Sequence, residues 1–231
     1  MLLENSSNRM IIFSGQLAFG GAEKNLLMLI NYLGIRNINY IWYCLGYSKS
    51  SNSESLYAAK PLGTNRALFS ILKIFIICRR HKKRIVYGSI AHINMVLSIL
   101  KFSRLISNKV IVRESSIPSL RNKKSHTLKR LICWVVYRYW MKSVDLIIVQ
   151  SKAMQADLVT EFKIPRSKIR LIRNPVSNDF RLTPHQRDLT IVNDCDNYFF
   201  IGRLEKEKGS ERLLELASQL EESERLHIIG D

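Results

Sequence analysis

The sequence predicts an α/β protein with a Rossmann-like, doubly wound parallel sheet, followed by the start of a second Rossmann-like domain. Short apolar runs alternate with segments of helical periodicity between residues 10 and 174. This alternation is typical of strands that are buried between two layers of helices. A polar segment then precedes a new strand, helix and strand, which indicates that a second domain begins there.

The elements of the first domain follow one another in a regular order. The predicted strands are residues 10–14, 39–45, 84–89, 109–115, 145–150 and 168–174. The predicted helices are residues 22–33, 66–82, 92–105 and 126–142, with one more after Ser151. Ligands of doubly wound sheets bind at the carboxyl ends of the strands. A site is therefore expected among the loops at residues 15–21, 88–92, 114–125 and 150–151.

Three segments are predicted from the changes in composition. They are a first domain over residues 1–176, a linker over residues 177–195 and an incomplete second domain over residues 196–231. The second domain would hold strands at 197–204 and 226–229 and a helix at 209–222. Two strands and one helix cannot cover both faces of a sheet, so apolar side chains of this domain are expected to be exposed.

The positive charge belongs to the first part of the chain. The 231 residues have a formal net charge of +17, with 23 basic and 5 acidic side chains in residues 1–150 and 13 and 14 in residues 151–231. Between Lys60 and Lys142 there are 19 Lys or Arg residues, and the one acid is Glu114. A small anionic ligand needs only a few cations, so this segment is expected to face an extended anionic surface or to form a solvated basic face. The hydrophobic share of 46% excludes a disordered chain.

Cysteine usage and hydropathy indicate a cytoplasmic protein. The four cysteines, Cys44, Cys78, Cys133 and Cys195, are far apart and form neither a CxxC motif nor a metal-ligand spacing with histidine. They are predicted to be reduced core residues. The polar N-terminus argues against a secretory signal, and charges interrupt each long apolar run, so neither secretion nor a membrane span is expected.

A glycine loop at residues 15–21 lies between the first strand and the first helix, where phosphates bind in many α/β proteins. It is not a Walker loop, because Gly21 and Ala22 stand where Lys and Ser or Thr are needed. It is not a dinucleotide fingerprint either, because the glycines are not in GxGxxG order. Gly20 and Gly21 would still let an anion approach the start of the helix. The alternative is a tight turn without a ligand.

A second phosphate site is predicted at residues 201–213. Arg203 follows a strand, and Lys208 precedes a helix start that is marked by Gly209 and Ser210. A guanidinium fork and an ammonium group that converge on a helix N-terminus suit a diphosphate. The alternative is a surface loop of alternating charges.

Four segments resemble, in the same order, the motifs of the retaining GT-B fold glycosyltransferases of family four, the glycosyl transferases group 1. They are GGAEKN at 20–25, VDLIIVQSKAMQADL at 144–158, KIRLIRNPVS at 168–177 and FFIGRLEKEKGSERLLE at 199–215. The third segment departs from the family in having Ser177 where Asp is usual. The resemblance implies two Rossmann-like domains that face a cleft, with the acceptor bound mainly by the first and a nucleotide sugar mainly by the second.

The resemblance also implies the roles of the two phosphate-binding segments. Arg203 and Lys208 would hold the donor diphosphate. The loop that contains Gly20, Gly21 and Glu23 would lie near the donor phosphate or sugar. Neither a metal nor a cofactor is expected, because cations and helix ends stabilise the leaving phosphate in this fold class.

Further cleft residues are expected around the strand at 109–113. Arg113 and Asn174 would lie in the cleft. Many family members have an active-site histidine after this strand, whereas this chain has Arg113 and Glu114. Glu114 would be either a polar contact to the sugar or the ion partner of Arg113. His92 would be either a second contact to the sugar or a structural hydrogen-bonding residue at a helix start. Glu114 and His92 are therefore the candidates for a catalytic role.

The implied activity is transfer of a sugar from a nucleotide sugar to a glycan or lipid-linked acceptor. Members of this kind act in the synthesis of bacterial-type surface polysaccharide, such as lipopolysaccharide or capsule. The glutamate-bearing donor segment of the family would lie after the strand at 226–229, and this sequence ends before it. We therefore expect a truncated or split glycosyltransferase that is weakly active or inactive alone.

The basic first domain is interpreted as a surface for the anionic inner face of the plasma membrane, where lipid-linked acceptors are found. Tyr137, Tyr139, Trp134 and Trp140 are predicted at the membrane edge, although Trp134 is also expected in the core. The alternative function is a non-catalytic basic protein that binds nucleic acid or membrane, or an inactive remnant of a glycosyltransferase. Nucleic acid is disfavoured as a partner, because no recognition-helix, RNP or zinc signature is present.

Overall fold

A computed structural model describes residues 10–17, 21–46, 59–64, 67–123, 127–176, 196–202, 204, 208–221 and 223–230. The chain divides into two compact units, Met1–Pro175 and Val176–Asp231. Four predicted features lie outside the described residues: Gly20, Arg203, Cys195 and the linker at 177–195.

The first unit contains a parallel sheet, as the sequence predicts, with seven strands where six were expected. The strands are β1 Met10–Ser14, β2 Tyr40–Cys44, β3 Lys60–Pro61, β4 Ile85–Gly88, β5 Lys109–Arg113, β6 Leu146–Val149 and β7 Ile169–Leu171. Their order across the sheet is β3-β2-β1-β4-β5-β6-β7, and each adjacent pair is parallel. The order reverses between β1 and β4, which is the topological switch point of a doubly wound fold. The predicted fold class is confirmed.

Helices connect these strands. They are α1 Gly21–Ile35, α2 Ile71–Arg80, α3 Ala91–Phe102, α4 Pro118–Lys123, α5 Thr127–Val135 and α6 Lys152–Thr160. A 3₁₀ turn, Ala67–Ser70, leads into α2. A π-helical turn, Val136–Trp140, and a 3₁₀ turn, Met141–Ser143, continue α5. No helix in the described part of the chain is long and apolar enough to cross a membrane.

Two elements differ from the sequence prediction. The segment at 115–125 is not a loop throughout, because α4 begins at Pro118. Proline suits the first position of a helix, where its missing N–H would have no intrahelical partner. Strand β3 has only two residues, and Lys60 and Pro61 pair with the end of β2, so it is too short to produce an alternating pattern.

Two apolar clusters cover the two faces of the sheet. The larger one packs Ile11 and Phe13 against α2, α3 and α6. The smaller one packs Ile12 and Trp42 against α1. The described cysteines Cys44, Cys78 and Cys133 are free and buried, as predicted. Burial raises the pKa of the Cys44 thiol to about 11 and that of Cys78 to about 12.

The second unit contains two parallel strands, β8 Asp196–Ile201 and β9 Glu224–Ile229. Helix α7, Glu211–Ala217, lies between them in the sequence. Its described side chains are exposed or half-buried, and Leu214 is 80% exposed. The expected exposure of apolar side chains in this unit is therefore confirmed.

Candidate functional site

The switch point between β1 and β4 lies at the carboxyl edge of the sheet, and we call this edge, with the segments that follow β1, β4 and β5, the crevice. Ser14 ends β1, and its hydroxyl accepts a hydrogen bond from Trp42 Nε1 at 2.9 Å. Ser89 follows β4, and its backbone N–H donates to the carbonyl of Phe13 at 3.1 Å. The first bond joins β1 to β2, and the second holds the ends of β1 and β4 together. The crevice lies where doubly wound proteins bind their ligands.

Gly88 allows α3 to approach β4 at the floor of the crevice. A Cβ atom at position 88 would lie 2.5 Å from Asn94 Oδ1 and 3.0 Å from Leu97 Cδ1. These distances are shorter than van der Waals contact, so a larger residue would push the helix away. Asn94 is fully buried, and its Oδ1 has no hydrogen-bond partner among the described residues.

Glu114, immediately after β5, is the centre of a buried polar cluster. Asn94 Nδ2 donates to Glu114 Oε1 at 2.8 Å and to the carbonyl of Arg113 at 2.9 Å. Arg121 Nη1 of α4 lies 3.5 Å from Glu114 Oε2, and its Nη2 donates to the Tyr137 hydroxyl at 2.8 Å. The interpretation of Glu114 as the ion partner of Arg113 is wrong, because the ion pair is formed with Arg121 on a helix that the sequence did not predict.

Burial determines the protonation of this cluster. It raises the pKa of Glu114 above its ordinary value, although the Arg121 charge and the hydrogen bond from Asn94 oppose the shift. Burial and the neighbouring Glu114 carboxylate hold the pKa of Tyr137 well above its ordinary value. Glu114 is 0% exposed, so a ligand in the crevice cannot touch it. Its function in this structure is to position Asn94, Arg121 and Tyr137.

Arg113 and Asn174 lie together, and their role in a cleft stays a prediction. Arg113 Nη2 donates to Asn174 Oδ1 at 2.6 Å. This bond joins the end of β5 to the segment after β7. Burial raises the pKa of Tyr87 to about 12, and the charge of Arg113 opposes this shift. A guanidinium group suits an anionic ligand, but Arg113 is buried, with 9% of its surface exposed.

His92 lies in the first turn of α3, next to the crevice, and is exposed. The protein around the ring lowers the pKa of His92, and the charges of Arg121 and Lys129 lower it further. The ring is therefore neutral at physiological pH. A neutral imidazole donates one hydrogen bond and accepts another, which suits a sugar hydroxyl. Of the two candidate catalytic residues, His92 can reach a ligand and Glu114 cannot.

The first predicted phosphate loop ends at the start of α1. Gly21 is the first residue of α1, and no atom lies within 4 Å of the place its Cβ would occupy. Asn25 Nδ2 donates to the carbonyl of Gly21 at 2.7 Å, which fixes the first turn. Glu23 lies in the same turn, where a carboxylate stabilises the positive end of the helix dipole. A phosphate at Gly21 remains a prediction.

The second predicted phosphate segment belongs to the second unit. Lys208 is exposed and precedes α7. Gly209 has a φ of +82°, a left-handed conformation that favours glycine. The Ser210 side chain forms no capping hydrogen bond with α7. The role of Lys208 and Arg203 in holding a diphosphate stays a prediction.

Two groups of residues at this edge were not predicted. Asn94, Arg121 and Gln150 surround Glu114, and Gln150 Nε2 donates to the Glu114 carbonyl at 3.0 Å. A groove of ≈ 800 Å³ also runs between α6 and β7, with Lys152, Arg166 and Arg170 in its lining. Neither group follows a motif in the sequence. In the described part of the chain, no three His, Cys, Asp or Glu side chains are close enough to hold a metal ion.

Comparison with solved structures supports the GT-B fold. The lipopolysaccharide outer core galactosyltransferase WaaB is 18% identical, with a TM-score of 0.65, and the match covers 96% of this chain and 61% of WaaB. A glycosyltransferase from Rickettsia africae ESF-5 is 17% identical, with a TM-score of 0.66 and coverage of 98% and 61%. An alpha-glucosyltransferase in complex with UDP and DNA is 12% identical, with a TM-score of 0.51 and coverage of 92% and 52%.

The chain therefore spans about 61% of the length of the first two solved structures. A sequence comparison with curated proteins finds no match. The model of Glycosyltransferase Family 4 matches residues 19–180, which is more than half of the chain. This segment includes α1, the crevice residues that follow β4 and β5, and the Glu114 cluster. The fold and the family match agree, and the chain belongs to Glycosyltransferase Family 4.

Proposed function

We propose that the protein transfers a sugar from a nucleotide-sugar donor to a glycan or lipid-linked acceptor. The observation that carries this proposal is the family match over residues 19–180. That segment contains exposed His92 and the Arg113–Asn174 pair. The lipopolysaccharide function of WaaB supports synthesis of a bacterial surface polysaccharide, either lipopolysaccharide or capsule.

The proposed acceptor side is the crevice of the first unit. His92 would orient an acceptor hydroxyl through its neutral imidazole. Arg113, held by Asn174, would supply positive charge for a phosphorylated acceptor. The Glu114 cluster would keep β5, α3 and α4 in register beneath these groups.

The proposed donor side uses the cations of the second unit and the start of α1. Arg203 and Lys208 would bind the donor diphosphate, and the Gly20–Gly21 turn would lie near the donor phosphate or sugar. Cations and helix N-termini can stabilise the leaving diphosphate without a metal or cofactor. The UDP complex of the alpha-glucosyltransferase supports a nucleoside diphosphate as the ligand. The proposed setting is the cytoplasm, at the inner face of the plasma membrane.

Donor binding tests this proposal directly. The purified chain is titrated with a panel of nucleotide sugars and with UDP in a calorimeter. Arg203→Ala and Lys208→Ala are each expected to weaken binding about ten-fold or more, because a charge-assisted hydrogen bond contributes about 1.5–3 kcal/mol. Lys206→Ala, in the same segment, is the matched control and should bind as the wild type does.

Transfer is measured with the same donors and with lipid extracts as acceptors. Sugar transfer to the acceptor that is lost in His92→Ala but retained in Lys109→Ala would support the proposed role of His92 in orienting the acceptor. No binding of any nucleotide sugar would contradict the proposal. A salt-sensitive gel shift with nucleic acid, in the absence of donor binding, would instead favour a non-catalytic basic protein.

A further inference from the structure

A groove runs along the side of the first unit, between α6 and β7. Its first wall is one face of α6, because Lys152, Gln155 and Ala156 have the i, i+3, i+4 spacing of a helix face. Its second wall is β7 and the 3₁₀ turn Arg166–Lys168 that precedes it. Strand β7 ends the strand order of the seven-stranded sheet, so the groove lies at the sheet edge. We call it the α6–β7 groove.

The groove is large enough for a ligand of several linked units. Its volume is ≈ 800 Å³, within the range of about 300–1,000 Å³ that is typical of small-molecule sites. The apolar part of its lining is Ile169 and Leu171, which are two positions apart on β7 and so face the same side of the sheet. A single phosphate ion would leave most of this space empty.

The groove is positively charged and lacks a counter-charge. Lys152, Arg166 and Arg170 line it and are exposed, and none of them forms an ion pair with an acid in the described part of the chain. None of the described lining residues is acidic. The acid of α6, Asp157, is directed towards α4, where its Oδ2 accepts from the Ser119 backbone N–H at 3.2 Å. Three neighbouring cations without a counter-charge attract an anionic ligand.

The two arginines of the groove are held beside it by the local backbone. Arg170 Nη1 donates to the carbonyls of Ser167 and Ile169 at 3.3 and 3.4 Å, and the guanidinium has further N–H groups for a ligand. Lys168, in the same segment, is directed elsewhere, because its Nζ donates to the Val144 carbonyl at 3.0 Å. The segment thus directs Lys168 to backbone carbonyls and keeps Arg166 and Arg170 in the lining. Guanidinium forks match the oxygens of a phosphate or a carboxylate.

The neutral part of the lining indicates what carries the anionic groups. The Gln155 amide and the Ser167 hydroxyl both donate and accept hydrogen bonds, which suits the hydroxyls of a saccharide. None of the described lining residues is aromatic, so the groove offers no ring on which a nucleobase could stack.

The aromatic residues that the sequence placed at a membrane edge lie outside this groove. Tyr137 is fully buried, so that prediction is wrong for this residue. Trp134 is 40% exposed and is therefore not in the core, where it was also expected. It packs edge-on against Tyr139, with ring centroids 6.1 Å apart.

The groove begins at the same edge of the sheet as the crevice. Lys152 is the first residue of α6, two positions after Gln150, whose Nε2 donates to the Glu114 carbonyl at 3.0 Å. Helix α6 then leads away from the carboxyl edge, alongside β7. A linear ligand that leaves the crevice along this edge reaches the groove at Lys152.

We propose that the α6–β7 groove binds an anionic saccharide. Its phosphate or carboxylate groups lie on Lys152, Arg166 and Arg170, and its hydroxyls bond Gln155 and Ser167. The inference deepens the proposed function by naming the class of acceptor, and it rests on that function only for the role of the saccharide as acceptor. Saccharide binding without nucleotide binding would overturn the proposed function and leave this inference intact. Nucleotide binding without saccharide binding would do the opposite.

The experiment is calorimetric titration of the full chain with two anionic probes, phosphorylated maltodextrin and trigalacturonate. Neutral maltotriose and inorganic phosphate are the references. At least one anionic probe should bind about ten-fold more tightly than either reference, because it meets both the cations and the neutral polar groups. The two probes distinguish a phosphate from a carboxylate. Binding of neither probe would overturn the proposal, and so would inorganic phosphate that binds as tightly as they do.

The cations are tested one at a time. Lys152→Gln, Arg166→Gln and Arg170→Gln are each expected to weaken binding of the anionic probe about five-fold, which corresponds to about 1 kcal/mol for an exposed ion pair. Arg36→Gln, just after α1, is the matched control and should bind as the wild type does. UDP should bind all these variants equally. Probe binding that is unchanged in the three groove variants, or UDP binding that is weakened in them, would overturn the proposal.

A bulky side chain separates the groove from the general positive charge of the first unit. Ala156→Trp fills the groove without changing the charge and should weaken probe binding at least about ten-fold. Ala153→Trp is the matched control, because Ala153 is an exposed alanine of α6 that does not line the groove. Equal binding by the two variants would overturn the proposal. So would a single-stranded oligonucleotide that binds more tightly than both saccharides and is displaced by Ala156→Trp, since the groove would then be a nucleic-acid site.

Discussion

Asn94 Nδ2 donates a hydrogen bond to Glu114 Oε1 at 2.8 Å, and so joins α3 to the residue that follows β5. The other carboxylate oxygen faces Arg121 of α4 at 3.5 Å. Glu114 is thereby held by the two successive helices that precede and follow β5 in the sequence. Asn94 Nδ2 also donates to the Arg113 carbonyl at 2.9 Å, so the cluster holds the last residue of β5 as well.

Removing either partner of the Glu114–Arg121 pair should cost stability, but by different amounts. Arg121→Met leaves a carboxylate that is 0% exposed without its counter-charge and is expected to cost about 3 kcal/mol. Glu114→Gln should cost about 1 kcal/mol, because the Arg121 side chain is 31% exposed and can still reach water. Urea unfolding at neutral pH measures both, with Arg130→Met on the surface of α5 as the control. A larger loss of stability in Glu114→Gln than in Arg121→Met would contradict the burial of Glu114.

The stability of the wild type should depend on pH through Glu114. Because burial raises the pKa of Glu114 in the folded protein, the folded state binds this proton more tightly than the unfolded state does. The proton on Glu114 therefore stabilises the folded state fully at pH values below the pKa of this group in the unfolded chain. This stabilisation is lost as the pH rises through the pKa of Glu114 in the folded protein. The cost of Glu114→Gln should therefore fall as the pH rises above 4.5, the ordinary value for this group. Urea unfolding at a series of pH values tests this, and a constant cost would be evidence against it.

Neutralising Lys129 should raise the pKa of His92. The protein around the ring lowers this pKa most by limiting hydration of the imidazolium, and the charges of Arg121 and Lys129 lower it further. In Lys129→Gln one of these charges is absent, so His92 should titrate at higher pH. NMR titration of the imidazole Cε1–H measures the shift, and His92→Gln assigns the resonance. Lys109→Gln, at the amino end of β5, is the control. An equal change in the pKa of His92 in that variant would argue against a local effect of Lys129.

Two glycines should respond in opposite directions to alanine. Gly88→Ala places a Cβ 2.5 Å from Asn94 Oδ1 and is expected to destabilise the protein by about 1–3 kcal/mol. Gly34→Ala, in α1, meets no atom within 4 Å. It should stabilise the protein by up to about 1 kcal/mol, because alanine favours the helix. Thermal unfolding of the two variants measures these changes in stability. Equal changes in the two variants would count against the close approach of α3 to β4.

The fold was largely predictable because a parallel sheet imposes a strong pattern on the chain. Each strand from β4 to β6 is a short apolar run, and the helices between them have a 3.6-residue period, so their order could be read directly. Helix α4 and strand β3 could not be predicted, because α4 has six residues and β3 has two. Segments of this length contain too few positions to show a period.

The site was predictable in its location and only partly in its contacts. The loops after β1, β4 and β5 were expected at one edge, and Arg113 does bond Asn174 there. The sequence suggested the adjacent Arg113 as an ion partner of Glu114. In the structure the ion partner is Arg121. Adjacent residues on a strand point to opposite sides, so proximity in the sequence was a poor guide to this ion pair.

The sequence by itself determined the α/β class, the segregation of the +17 charge into the first part of the chain and the family motifs. These properties depend on residue type and spacing along one chain. Only the tertiary structure decided which charged and apolar groups meet water. It buried Glu114 and Tyr137 and left Leu128 and Trp134 exposed. The physical reason is that burial depends on which helices pack beside α5, and the periodicity of α5 alone allows either of its faces to turn outward.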